Sequence, residues 1–147
     1  MLLNLLTGIP VMLICLLFQA IFVGISLRQY IRFRRRHEVL DKPLWQIALL
    51  ALVMLLAMLG NFLQMVAWAG LFVLVGEFSD FSTALYHSGV NFATLGYGDI
   101  VMSERWRLLG ALEAANGILM FGVSTSMMTA ALTDLIRHGR PSPSDEP

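Results

Sequence analysis

The chain alternates long apolar blocks with short polar ones. Leu5 to Leu27 runs 23 residues without a charge, and Leu44 to Gly76 runs 33. Leu108 to Leu135 is a third block, interrupted only by Glu113 and Asp134. About 20 apolar residues suffice to cross the hydrocarbon core, so the pattern predicts three membrane helices. As one straight helix the second block would measure roughly 50 Å against a core of about 30 Å, whereas two spans and a turn would need more than about 40 residues. It therefore reads as one span, Leu44 to about Trp68, with the excess forming an outer extension or kink. Between the second and third blocks, Glu77, Ser79 and Asp80 mark a water boundary. Ser79 or Asp80 is placed to cap a short helix over Ser82 to Phe92. The C-terminal end of that helix would aim partial negative charge toward the membrane centre, where it favours a cation. Ser103 to Arg107 brings the chain back to the outer surface, and Trp68 and Trp106 read as interfacial anchors.

Composition sharpens this picture. The chain has 147 residues, a hydrophobic share of 57% and mean hydropathy of +0.72, which indicates one domain with more apolar surface than a soluble interior of that size can hide. Net charge is zero, so no nucleic-acid partner is expected. The single cysteine, Cys15, excludes an intrachain disulfide and reads as a small lipid- or helix-facing residue. Met1 to Asn4 lacks a basic leader and no convincing cleavage site follows, so the first helix is expected to be retained. Arg28, Arg32, Arg34, Arg35, Arg36, Lys42, Arg137 and Arg140 fall on one side of this layout, and only Arg105 and Arg107 on the other. By the positive-inside rule the amino terminus lies outside and the carboxyl terminus in the cytoplasm, in a plasma (inner) membrane. Membrane lipid is a partner, and anionic headgroups are a second reading of the arginine cluster. The expected organisation is an N-terminal helix (1–27), a basic cytoplasmic loop (28–43), a pore domain (44–136) and a disordered, proline-rich tail (137–147).

The chemistry concentrates in Thr94-Leu95-Gly96-Tyr97-Gly98-Asp99. Two glycines around one aromatic permit backbone dihedrals that side chains disfavour, so successive carbonyls can point one way. The strip, with Ala84-Leu85-Tyr86 before it and an apolar helix on each side, resembles the filter of potassium-channel pores of the simple bacterial kind, with Leu95 in the place of valine. The resemblance covers Leu44 to about Leu135. It implies an all-α membrane protein with three transmembrane helices, a re-entrant pore helix and a selectivity filter, assembled as a homotetramer around potassium, the transported ion, with no cofactor. It implies that Thr94, Leu95, Gly96, Tyr97 and Gly98 bind the ion, through carbonyls of the first four and the Thr94 hydroxyl at the inner end, with Tyr97 and Leu95 packed behind. Asp99 would brace the filter. The pore-helix glutamate that partners it in some relatives is Val90 here, so Tyr86 or Trp106 is the expected donor. An exposed carboxylate that concentrates cations is the other reading. Gly117 stands at the inner-helix hinge position or serves close packing, and Ile118, Phe121 and Thr125 share a face that would line the cavity.

Glu113 is an ionisable group inside a span and hence a functional candidate. It braces the filter through Asn91 or His87, couples pH to conduction, or is a structural carboxylate satisfied by a neighbour, the favoured reading because buried polar groups are normally paired. His87 occupies a position that relatives often fill with an aromatic, as a packed or a pH-sensing histidine. Gly60, Asn61 and Gln64 read as helix-packing positions, and Ser124, Thr125 and Ser126 as hydroxyls returned to their own helix. No nucleophile faces a base across helices, so enzyme activity is not expected; His87 and Ser88 adjoin on one helix and cannot face each other. A non-selective cation channel and a non-conducting accessory subunit are the rival functions. The first helix carries no regular arginine spacing, so it is not a voltage sensor of the usual type.

Overall fold

The computed structural model describes residues 1–34 and 43–138. The basic residues Arg35, Arg36 and Lys42, and the proline-rich tail beyond His138, lie outside the described residues, as do the side chains of Arg34, Arg137 and His138.

Among the described residues four helices follow one another: α1 (Leu2–Arg34), α2 (Pro43–Leu74), α3 (Phe81–Phe92) and α4 (Arg107–His138). Three are long and apolar enough to cross a membrane, over Leu2–Arg32, Leu44–Leu74 and Arg107–Ile136. The short α3 lies between the second and third. This is an all-α arrangement consistent with a pore-loop channel fold.

Each helix outruns the span expected of it. α1 extends past Leu27 to Arg34, so Arg28 and Arg32 stand exposed on its last turns rather than in a loop. α2 continues to Leu74 with no break near Trp68. It ends where Gly76 takes φ of +74°: the Gly76 N–H donates to Val73 O at 3.0 Å and the Glu77 N–H to Phe72 O at 2.9 Å. That pair of bonds is the glycine stop of a Schellman motif.

The continuation of α2 changes what Trp68 does. It is fully buried, beside Phe72 and in one cluster with Cys15, Phe92, Leu109 and Met120, so it is a core residue and not an interfacial anchor. Trp106 corrects the same way. It is 7% exposed within that cluster, with the Arg105 guanidinium 5.1 Å from its ring centre. A tryptophan reads as interfacial from sequence because its position seems to coincide with a span end; here a longer α2 and the return of the chain above α4 put both rings inside.

Gly60 works as a packing residue. A side chain there would meet the Phe22 ring of α1 at 3.2 Å. At its N-terminal end Asp80, not Ser79, caps α3: its carboxylate accepts from the Thr83 N–H at 2.8 Å and the Thr83 hydroxyl at 3.1 Å, and the helix begins at Phe81.

Candidate functional site

α3 points its last turn at the strip 94–99, and that junction is built from backbone bonds. The Thr94 N–H donates to Asn91 O at 2.8 Å and the Leu95 N–H to Val90 O at 2.9 Å. This is again a Schellman motif, with Thr94 at φ +59° in the left-handed place that glycine normally holds. A β-branched residue in that conformation costs about 1–2 kcal/mol. Gly96 and Gly98 follow at φ +57° and +74°, while Leu95 and Tyr97 between them stay at ordinary φ. The strip therefore alternates in hand, residue by residue.

Residues 94–99 are all exposed in the single chain. Leu95 is 57% and Tyr97 67% exposed, so neither packs behind the strip within its own chain. Ile118, at 61%, Phe121, at 39%, and Thr125 are exposed as well, along one face of α4. Phe121 also meets the Phe92 ring edge-on at 5.5 Å.

Gly117 is buried against the end of α3. A Cβ there would stand 2.0 Å from Phe92 O. Of its two readings, close packing is the one with a contact, since the α4 backbone touches the α3 backbone two residues before Thr94.

Behind the strip a polar chain joins four segments. The Glu113 carboxyl on α4 is fully buried against the Ser88 hydroxyl on α3, which also stands 2.9 Å from Met65 O on α2, so its single proton serves one of these two oxygens at a time. The Asn91 amide lies beside the same carboxylate, and its Nδ2 donates to His87 Nε2 at 2.8 Å. His87 Nδ1 donates to Ile100 O at 3.2 Å, just past the strip. A carbonyl only accepts and an amide NH₂ only donates, so these two bonds call for a neutral imidazole with its proton on Nδ1. His87 is 5% exposed, between the rings of Phe72 and Phe78. Sequence reasoning named Asn91 and His87 around Glu113 but missed Ser88, whose only signal was its spacing of one residue from His87.

Two further ties hold the outer loop. The Tyr86 hydroxyl donates to Asp99 Oδ2 at 2.7 Å. Ser103 donates to the Glu77 carboxylate through its N–H and, at 2.7 Å, its hydroxyl. The sequence reading took Glu77 only as a boundary marker.

The Tyr86 bond, the largest influence on Asp99, holds its carboxyl below the usual carboxylate range. A group with a lowered value contributes stability above its unfolded value and loses it as pH falls through the folded one. The bond is therefore intact at neutral pH. In Tyr86→Phe that contribution is expected to be lost, so thermal stability falls at neutral pH and declines less as the pH is lowered into the carboxylate range. A stability profile unchanged by the substitution would show that the bond contributes nothing.

A family model described as "Ion channel" matches residues 47–134, more than half of the 147-residue chain. No curated protein and no solved structure matches the chain.

Proposed function

The chain belongs to this ion-channel family, a family of channels and not of enzymes, and from that premise we propose that it conducts potassium passively and selectively through a ring of backbone carbonyls supplied by four copies. It is a multi-pass membrane protein. In the proposed orientation the amino terminus is outside, the carboxyl terminus is cytoplasmic, and the membrane is the plasma (inner) membrane.

The observation that carries the reading is the alternation of hand at Thr94, Gly96 and Gly98. Backbone that alternates between left- and right-handed residues turns successive carbonyls to a common side. The oxygens of Thr94, Leu95, Gly96 and Tyr97 can then replace the water shell of a dehydrated cation. One strip offers oxygens on one side only, so a closed ring requires several chains, four in filters of this sequence type. The exposure of the strip supports the same conclusion. Irregular backbone at membrane depth is tolerated only where protein buries it or where it lines a water-filled path. Neighbouring copies supply that cover for Leu95 and Tyr97, and Ile118, Phe121 and Thr125 line the cavity below.

Glu113, His87, Asn91 and Ser88 brace the filter from behind, and the Tyr86–Asp99 bond braces its outer mouth. The test is flux from liposomes containing the purified full-length protein, with potassium compared against sodium. Selective potassium flux is expected. Equal sodium flux would mean a non-selective cation channel, and no flux an accessory subunit; either result overturns the proposal.

Thr94→Gly separates backbone strain from ion chemistry. Relief of the left-handed threonine is offset by the added freedom of glycine in the unfolded chain, about 0.5–1 kcal/mol. Stability is expected to stay within about 1 kcal/mol of the native protein. Potassium binding, read by isothermal titration, is expected to weaken, because the hydroxyl at the inner end is gone.

A further inference from the structure

The family match begins at residue 47 and leaves α1 outside it. Yet side-chain hydrogen bonds tie α1 to α4, and to the turn just before it at Arg105, at three depths. Asn4 Nδ2 donates to Arg105 O at 2.9 Å, Gln19 Nε2 to Ser124 Oγ at 3.1 Å, and the Tyr30 hydroxyl to Asp134 Oδ2 at 2.6 Å. The partners stand 101, 105 and 104 residues apart, so the two helices run parallel in nearly constant register. The first and last ties are separated by about 39 Å of helix.

The middle tie is the most elaborate. Gln19, Asn61, Gln64 and Ser124 are all buried, on three helices. Gln64 Nε2 donates to Gln19 Oε1 at 2.8 Å. The Ser124 hydroxyl accepts from Gln19 and, at 3.3 Å, from Asn61 Nδ2, and donates to Asn61 Oδ1 at 3.4 Å. A hydroxyl has one donor and two acceptor positions, and here all are occupied. Its neighbours behave differently: Ser126 returns its hydroxyl to Gly122 O and Thr129 returns its own to Thr125 O, each at 2.9 Å. Ser124, unlike these two, is turned away from its own helix, and the next residue, Thr125, is exposed on the face assigned to the ion path. With no water at this depth to replace a lost partner, the cluster holds one rotation and one depth of α4.

We propose that α1 is a built-in brace of the inner helix, and that Gln19 is a positioning residue which, through Ser124, sets how Thr125 and Phe121 face the ion path. The placement of that path rests on the conduction reading; the brace itself does not. Without the Gln19–Ser124 bond, α4 leaves its present setting more often.

The test uses the full-length protein in liposomes with Thr125→Cys as reporter. The native chain, whose Cys15 is buried, is the blank. The rate of modification by a charged, water-soluble thiol reagent is measured. Adding Gln19→Leu or Ser124→Ala is expected to change that rate roughly three- to twenty-fold, the range that single intramembrane hydrogen bonds produce. The two together are expected to do less than the sum of their separate effects, because they share the Gln19–Ser124 bond, while each alone also loses a second partner, Gln64 or Asn61. Ser124→Thr, which keeps the hydroxyl, and Ser126→Ala, which removes a self-satisfied one, are expected to leave the rate unchanged. The proposal is overturned by unchanged rates in Gln19→Leu and Ser124→Ala, by additive effects, by Ser124→Thr behaving as Ser124→Ala, or by a reporter that reacts in no variant. An absent native potassium flux sinks the conduction reading instead, and the thiol rates still decide the brace.

Discussion

Gly117→Ala is expected to reduce potassium flux at least ten-fold and to lower the thermal stability of the protein. The added Cβ would lie 2.0 Å from Phe92 O, 2.9 Å from the Phe92 carbonyl carbon and 3.1 Å from its Cα. All three atoms are backbone, so no rotamer change relieves the clash. α4 and the end of α3 must separate by more than about 1 Å in an interior packed as densely as an organic crystal. Overpacking of this kind costs about 1–3 kcal/mol, against a helix-propensity gain for alanine of about 1 kcal/mol. The functional loss should exceed the stability loss. Phe92 ends α3, and the Thr94 and Leu95 N–H groups hang from the carbonyls of Asn91 and Val90 just before it. Displacing that turn moves the first carbonyls of the filter. Gly24→Ala is the matched control: nothing lies within 4 Å of its would-be Cβ, so native flux and an unchanged or slightly raised melting temperature are expected. An alanine at 117 that conducts like the native protein would dissolve the link between α4 packing and filter geometry.

The second large effect is expected at Glu113. Glu113→Leu should lower stability by about 0.5–1.5 kcal/mol for each hydrogen bond it removes, from Ser88 and from Asn91, which keep Met65 O and His87 Nε2 as their other partners. Glu113→Gln keeps an acceptor oxygen and nearly the same volume, so most of the stability should survive. Because the same chain of bonds runs through His87 to Ile100 O, on the far side of the filter, the leucine variant is also expected to lose discrimination of potassium over sodium. Melting curves and paired potassium and sodium flux measurements on both variants check this. Equal losses in the two would mean that the acid itself, rather than its hydrogen-bond geometry, is what the site needs.

Much of this architecture is legible in the amino-acid order. Uncharged runs of more than 20 residues have one favourable destination, the membrane. A glycine-interrupted polar strip between two such runs has nowhere to put its backbone groups except a shared path or a protein interior. The start of α3 was legible for a local reason, since Asp80, one of two candidate caps, holds it through its own side chain, whereas the end of α2 was expected near Trp68 and comes only at Gly76, which takes the left-handed turn at no steric cost. Thr94 was less legible, since nothing in a threonine announces that it will occupy a glycine's conformation.

What the sequence by itself determined is therefore the number of spans, their order, and the place of the glycine-interrupted strip 94–99 between two of them, because these follow from transfer into lipid and from local backbone freedom. The tertiary structure alone decided which way each helix faces. Trp68 and Trp106 turned inward, Ser88 met Glu113 across 25 residues, Ser124 turned to Gln19 across 105, and Gly117 closed on Phe92. A helix that is apolar all round carries almost no hydropathy signal for its rotation. Rotation is set instead by which small residues admit a neighbouring backbone and which polar groups find partners once water is gone, and those are properties of the packed helices together.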